Sequence, residues 1–314
     1  MNPLFIAMRF FGSMAWGLMV RGSKFWGSTF GGARSWGLAA SVLYLAALLA
    51  GPCGVRANAA ELRQKTAEAF DHYAKVTEAR IAGELNDPNA FLWVDRQPEP
   101  RRRALSAELH QGKIVVEPLE THEPGDPQGK PIPIPDGLVH HWIATAFIPG
   151  GTLRQTLAIL QDYNRHQEIY KPDVQLSKLL KTDGKDFKVY FRLRRKAIVT
   201  VFYNAEFDIR YVPVGPKREY SSSYATRIAE VDDPDKPNEH EQPVGKDHGY
   251  LWRLNTYWRY EERDGGVYVQ LEFVALSRSV PAVFTWIVNP YLRSIPQEYL
   301  TNLLLVTSQA VRKK

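Results

Sequence analysis

Six stretches between Asp173 and Arg278 alternate apolar with polar residues, and short turns join most of them. They run Asp173–Leu180, Phe187–Arg195, Val199–Tyr211, Tyr220–Val231, Tyr250–Glu262 and Val267–Arg278. Such a series predicts an antiparallel meander, because parallel neighbours need long crossover connections. The last pair also predicts its own register. Asp264-Gly265 is a strong two-residue hairpin signal. Placing it at the turn sets Glu262 opposite Val267, Tyr260 opposite Val269, Trp258 opposite Leu271, Thr256 opposite Phe273 and Leu254 opposite Ala275. One face of the hairpin is then almost wholly apolar, while the other carries Arg253, Asn255, Tyr257, Arg259, Gln270 and Glu272. The same alternation turns Phe187, Val189, Phe191 and Leu193 inward, with Val201, Tyr203, Ala205, Phe207 and Ile209 on the next strand. Basic residues outside the first of these strands and acidic ones outside the second predict cross-strand surface pairs.

A sheet with one apolar face must bury it, and long strands twist, so the sheet should curl around a cover. The cover is predicted at the C-terminus. Pro296 suits a first helical position, and Leu300, Leu303, Leu304, Thr307 and Val311 form one stripe. Ahead of the meander, Leu138–Ile148 reads as a strand ended by Pro149-Gly150-Gly151. Thr152–Tyr163 reads as a helix capped by Thr152, and a helical turn through Ile169 stops at Pro172. Further upstream, 60–83 is an amphipathic helix with Leu62, Thr66, Ala69, Phe70, Tyr73 and Thr77 on one face. Pro88, Pro98 and Pro100 break the chain after it. Arg101-Arg102-Arg103 reads as a solvated turn, Leu105–Leu119 as strand with a turn at Gln111-Gly112, and 121–137 as a linker rich in Pro, Gly and Asp.

The order strand, two helices, six-strand meander, long C-terminal helix resembles the START-like superfamily, also called SRPBCC, over Leu138–Val311. That group holds birch-pollen-type allergens, polyketide cyclases, coenzyme Q-binding START proteins and lipid-transfer START domains. Leu157-Ala158-Ile159-Leu160-Gln161-Asp162-Tyr163 with Ile169-Tyr170-Lys171-Pro172 looks like the segment that packs the short helices. Gly249–Trp258 and Leu276–Pro281 look like an exported bacterial branch of unassigned activity. The resemblance implies an α+β helix-grip fold: a curved antiparallel sheet wrapped around the C-terminal helix, with a ligand cavity between them. Residues 60–137 lie outside the basic fold and either extend the sheet or cover an edge.

The first 59 residues hold five bases (Arg9, Arg21, Lys24, Arg34, Arg56) and no acid, which leaves 35 basic against 34 acidic residues beyond them. The basic balance therefore belongs to the N-terminus, and global charge makes no case for nucleic-acid binding. Scattered bases, the apolar run Leu38–Ala50, the breaker Gly51-Pro52 and Ala57-Asn58-Ala59 follow the secretory layout. Residues 1–59 are therefore expected to be removed on export to the periplasm or beyond; retention would anchor the chain through 36–55. The single cysteine, Cys53, lies in this leader, so no disulfide, thiolate nucleophile or cysteine-bound metal is expected in the mature chain.

No motif dictates a reaction. His140-His141 cannot readily chelate one ion, because adjacent strand residues point to opposite faces. Asp162, Tyr163 and His166 suggest acid–base work, yet such spacing usually makes surface contacts. Ser221-Ser222-Ser223 lacks the glycines of a nucleophile elbow, and no phosphate loop or dinucleotide fingerprint is found. No catalytic residue, metal or cofactor is assigned. The expected cavity wall is Phe191, Tyr203, Phe207, Tyr224, Trp258, Leu271, Phe273, Leu303 and Leu304, an ordinary core unless space stays open beneath the helix. Arg253, Asn255, Tyr257, Arg259 and Glu272 are read first as an outer salt-bridged face, and alternatively as a polar patch lining the cavity. In Arg278–Pro296, three prolines deny a long regular element, and Phe284, Trp286, Ile287 and Tyr291 suit a lid, with Trp286 and Tyr291 fit for a membrane surface. The expected partner is a lipid, quinone or other apolar small molecule. The rivals are a cyclase- or hydrolase-type enzyme using the same cavity and an envelope protein with a filled core.

Overall fold

The computed structural model describes residues 60–313 except 88, 127, 197–198 and 281–284, and of 285–293 only the helical backbone. The leader readings, Cys53 and Phe284 therefore lie outside the described residues. Strand β1 (Ala60–Glu61) and helix α1 (Gln64–Leu85) open the fold, followed by a 3-10 turn at Trp93–Arg96, helix α2 (Glu99–His110) and strand β2 (Val115–Pro118). Next come β3 (Gly137–Pro149), α3 (Leu153–Leu160), a 3-10 turn at Tyr163–Arg165 and the single-turn α4 (His166–Ile169). The meander is β4 (Val174–Asp183), β5 (Asp186–Lys196), β6 (Thr200–Gly215) and β7 (Arg218–Asp232). Two short strands, β8 (His240–Glu241) and β9 (Lys246–Asp247), precede β10 (Arg253–Arg263) and β11 (Gly266–Arg278), and α5 (Thr285–Arg312) closes the chain.

Every pairing is antiparallel, and the main sheet runs β2-β3-β11-β10-β7-β6-β5-β4, with β8 beside β7. This is the START-like, helix-grip fold: a curved open sheet whose inner face takes the C-terminal helix. The hairpin register is the one that Asp264-Gly265 dictates, with Trp258 opposite Leu271 and Thr256 opposite Phe273. Thr152 caps α3 by accepting from the Gln155 N–H at 3.2 Å. Outside β5 and β6, Lys188 meets Glu206 at 3.2 Å, an expected surface pair, and Arg210 meets Asp186 at 2.6 Å with the charges the other way round. Leu300, Leu304 and Val311 of α5 are fully buried against the inner face.

Several expectations need correction. Arg101–Arg103 and Leu105–Leu109 are helical, not turn and strand: Pro100 fits a first turn, and Leu105 and Leu109, four apart, share the buried face of α2. The second concerns Arg278–Pro296, which does not stay irregular. Helix α5 begins at Thr285 and runs through Pro290 and Pro296, so Pro296 does not open it. A proline removes one N–H donor, but its own φ of about −65° is helical, so it need not end a helix. Trp286, Ile287 and Tyr291 thus belong to a helix, and their side chains lie outside the described residues.

The third correction matters most. The outer face of β10 and β11 is not solvated. Helix α1 lays Phe70, Tyr73, Ala74 and Ile81 onto Trp252, Tyr257, Val274 and Leu276. Helix α2, with Phe91 and Leu92, covers Phe147 and Tyr268 beside them. β3 is consequently buried on both sides from His141 to Ile148. Residues 121–137 are no free linker either: Ile132 is buried in the same outer core, and Thr66 donates to Pro135 O at 2.8 Å.

Candidate functional site

A cavity of about 150 Å³ lies between the inner sheet face, the α3–α4 connection and α5. Strand alternation brings Phe191, Phe207, Trp258, Leu271 and Phe273 to its wall, and α5 adds Leu303. Tyr203 and Leu304 are buried in the same core without lining the cavity. Tyr224, expected on the wall, lies on the opposite face, half exposed, with its ring 6.2 Å from that of Tyr257. The cause is a bulge in β7: Glu206 pairs with Arg227 and Phe207 with Ala225, which leaves Thr226 over. One extra residue reverses the faces. Ile228 points inward after the bulge, but before it Ser221 and Ser223 do.

Several polar residues of the cavity sit at the α3–α4 connection. Tyr163, His166 and Tyr170 project from that connection, and His166 stacks on Phe191 with ring centroids 5.8 Å apart. Its Nε2 donates to Leu160 O at 3.1 Å. Burial holds the imidazole neutral by lowering its pKa to about 4. The Tyr163 and Tyr211 hydroxyls meet at 2.9 Å, and the Tyr260 hydroxyl is 3.3 Å from Ser221 Oγ. Burial raises all three phenols far above their ordinary pKa. Tyr170, raised to about 12 by burial, meets Thr307 Oγ1 at 3.2 Å. Elsewhere on the wall, Arg195 donates to the Tyr299 hydroxyl at 2.8 Å and lies 3.9 Å from Asp173. No carboxylate lines the cavity among the described residues. Helix α3 ends at Leu160, so Asp162 does not share a helical face with His166; its side chain stays substantially exposed.

The second polar assembly lies between α1 and the outer sheet face, and it holds the cluster of Arg253, Asn255, Tyr257, Arg259 and Glu272. Arg259 donates to Glu84 Oε2 at 2.6 Å and to Phe91 O at 2.7 Å. Glu272 Oε1 takes Arg80 and the Nε2 of His141, the latter at 2.8 Å. Desolvation would raise the Glu272 pKa, but the His141 hydrogen bond and the Arg80 charge outweigh it and hold the carboxyl at about 2. Behind His141, Tyr73 donates to Nδ1 at 2.8 Å and accepts from Thr121 N at 3.0 Å. Tyr257 donates to Glu78 at 2.8 Å and Asn255 donates to Tyr257 at 3.3 Å, while Arg253 bonds only the neighbouring Trp252 O at 3.2 Å among the described contacts. Arg259, Glu272 and Tyr257 fasten the N-terminal helix to the sheet; the five residues neither face solvent as a set nor line the cavity.

His140 and His141 do point to opposite faces: His140 meets Ser277 Oγ at 2.9 Å on the inner side. A grouping invisible in the sequence is Glu230, Asp232 and His248, whose ligand atoms lie within 4.8 Å of one another. His248 already bonds Glu230 at 2.5 Å and Gln242 holds Asp232, so the cluster reads as an ion pair that ties the 240s to β7. The hydrogen bond to Glu230 raises the His248 pKa.

No family model and no curated protein matches the chain. Solved structures are similar in fold. A STAR-related lipid transfer protein from Xanthomonas axonopodis is 18% identical with a TM-score of 0.42, covering 63% of this chain and 93% of that one. Human STARD10 is 10% identical with a TM-score of 0.40, covering 73% and 84%. The Zhui aromatase/cyclase from a Streptomyces species is 13% identical with a TM-score of 0.36, covering 56% and 96%. Values at this level add nothing about activity. The helix-grip fold itself rests on the strand order and on the helix that the sheet grips.

Proposed function

We propose that the chain is a binding protein that encloses one compact apolar molecule beneath its C-terminal helix. The observation that carries this reading is the cavity of about 150 Å³, walled chiefly by aromatic and aliphatic side chains. Apolar cavities on the order of 150 Å³ accommodate a molecule the size of benzene, so a single-ring ligand fits better than a diacyl lipid. Glu272 and Arg259, which inside the cavity would have supported the cyclase or hydrolase reading, are locked under α1 instead. Export is part of the proposal: Leu38–Ala50 and Ala57-Asn58-Ala59 support a leader removed at 59, and sequencing the mature N-terminus tests it.

Native mass spectrometry of the purified protein, followed by organic extraction, tests the binding role. The expected result is a small apolar molecule that leaves on extraction, or uptake of toluene seen as NMR shifts of cavity residues. A protein that yields no such molecule and takes up no toluene would overturn the reading.

A further inference from the structure

The hydroxyl groups in the cavity do not balance, and the imbalance specifies a ligand. Tyr163, Tyr211, Tyr260 and Ser221 all line the space. Tyr163 meets Tyr211 at 2.9 Å, and Tyr260 meets Ser221 at 3.3 Å. Each hydroxyl carries a single proton. Two links therefore consume two of four protons, and each pair, whichever way it is polarised, leaves one donor over. Tyr170 does not supply that donor. Thr307 gives its proton to Leu303 O at 2.8 Å, so Tyr170 must donate its own to Thr307 Oγ1. Arg195 does not alter the count, because it donates to Tyr299. The three phenols stay protonated at any physiological pH, since burial raises each of them.

A buried donor without an acceptor costs free energy that a ligand can recover by supplying the acceptor. We infer that the cavity selects a compact cyclic molecule bearing one carbonyl oxygen, whose ring packs against Phe191, Phe207 and Trp258 and whose oxygen accepts a surplus proton of the Tyr163–Tyr211 and Tyr260–Ser221 pairs. The inference rests on the cavity being a binding site and narrows the class of ligand it takes. A hydrocarbon of the same shape fills the same space and leaves the donor stranded.

Cyclohexanone and methylenecyclohexane differ chiefly in an oxygen replaced by a CH₂ group, and NMR titration of the purified protein compares them. The ketone is expected to bind about five-fold more tightly, the worth of one net hydrogen bond. Its carbonyl stretching band should move to lower frequency on binding. In Tyr260→Phe, which keeps the ring, the bound band position should change; in Tyr163→Phe/Tyr211→Phe/Tyr260→Phe/Ser221→Ala, which removes all four hydroxyls, the preference and the band shift should vanish. Ser221→Ala, a smaller change, serves as the replacement if a tyrosine variant does not fold, and it should alter the band position. Equal binding of the two probes, or an unshifted band, overturns the inference and leaves the cavity reading intact. Failure of both probes to bind removes the cavity reading and the inference with it.

Discussion

Replacing Arg259 with methionine tests the architecture at the point where the sequence alone misleads. On a solvated outer face the arginine would be worth little, since exposed ion pairs contribute about 0–1 kcal/mol. In the structure its side chain is 1% exposed and clamps two elements, Glu84 of α1 and the carbonyl of Phe91. Methionine replaces the stem and deletes the charge. Glu84 then keeps Arg80 at 2.9 Å and Arg96 at 3.6 Å, while Phe91 O loses the Arg259 donor. Removing one partner of a buried pair costs about 3–5 kcal/mol. The surviving Arg80 contact argues for the lower end. At roughly 2–4 °C per kcal/mol for a chain of this size, a loss of about 3 kcal/mol lowers Tm by some 6–12 °C. Arg259→Met/Glu84→Gln should recover much of that loss, because no charge is then stranded. Urea and thermal unfolding followed by circular dichroism measure both. A single variant within about 0.5 kcal/mol of wild type would refute the buried layer and return this face to solvent.

Phe273→Asp should unfold the domain or abolish probe binding, because an unpaired carboxylate would face the apolar cavity; Leu305→Asp, on the exposed side of α5, should change stability by less than about 1 kcal/mol. Stability should fall as pH drops from 6.5 towards 4. The unfolded chain binds a proton at His166 near 6.5 whereas the folded chain resists until about 4, so this histidine alone accounts for roughly 3 kcal/mol. His140, lowered to about 4 by burial, acts in the same sense, and Glu272, depressed to about 2, extends the decline below its ordinary pKa of 4.5. A flat urea midpoint between pH 7 and 4.5 would show that these histidines are not buried neutral. Tyr224→Ala should leave toluene binding unchanged, whereas Trp258→Ala should alter it by more than about tenfold; equal effects would place the β7 bulge wrongly.

What one strand and its turn can dictate, the sequence determined. Period-two alternation placed Phe191, Phe207, Trp258, Leu271 and Phe273 on one face, and Asp264-Gly265 set the register that pairs Trp258 with Leu271. Those are local consequences of pleat and turn chemistry, and they carried the START-like reading with them. Tyr211 and Tyr260 obey the same alternation, so their inward aim was legible, although the hydroxyl pairs they join were not. The first pair needs Tyr163, which arrives from a different element at a distance no sequence pattern encodes. Tyr224 was misplaced because a bulge is one extra residue whose insertion depends on the neighbouring strand. The outer face was misread for a related reason. Arg259, Glu272 and His141 look like surface residues until α1 brings Glu84, Arg80 and Tyr73 over them. A polar face reads the same whether water or a partner helix satisfies it. Only the tertiary structure decides which, because the choice depends on charges up to 192 residues apart along the chain meeting in one buried layer.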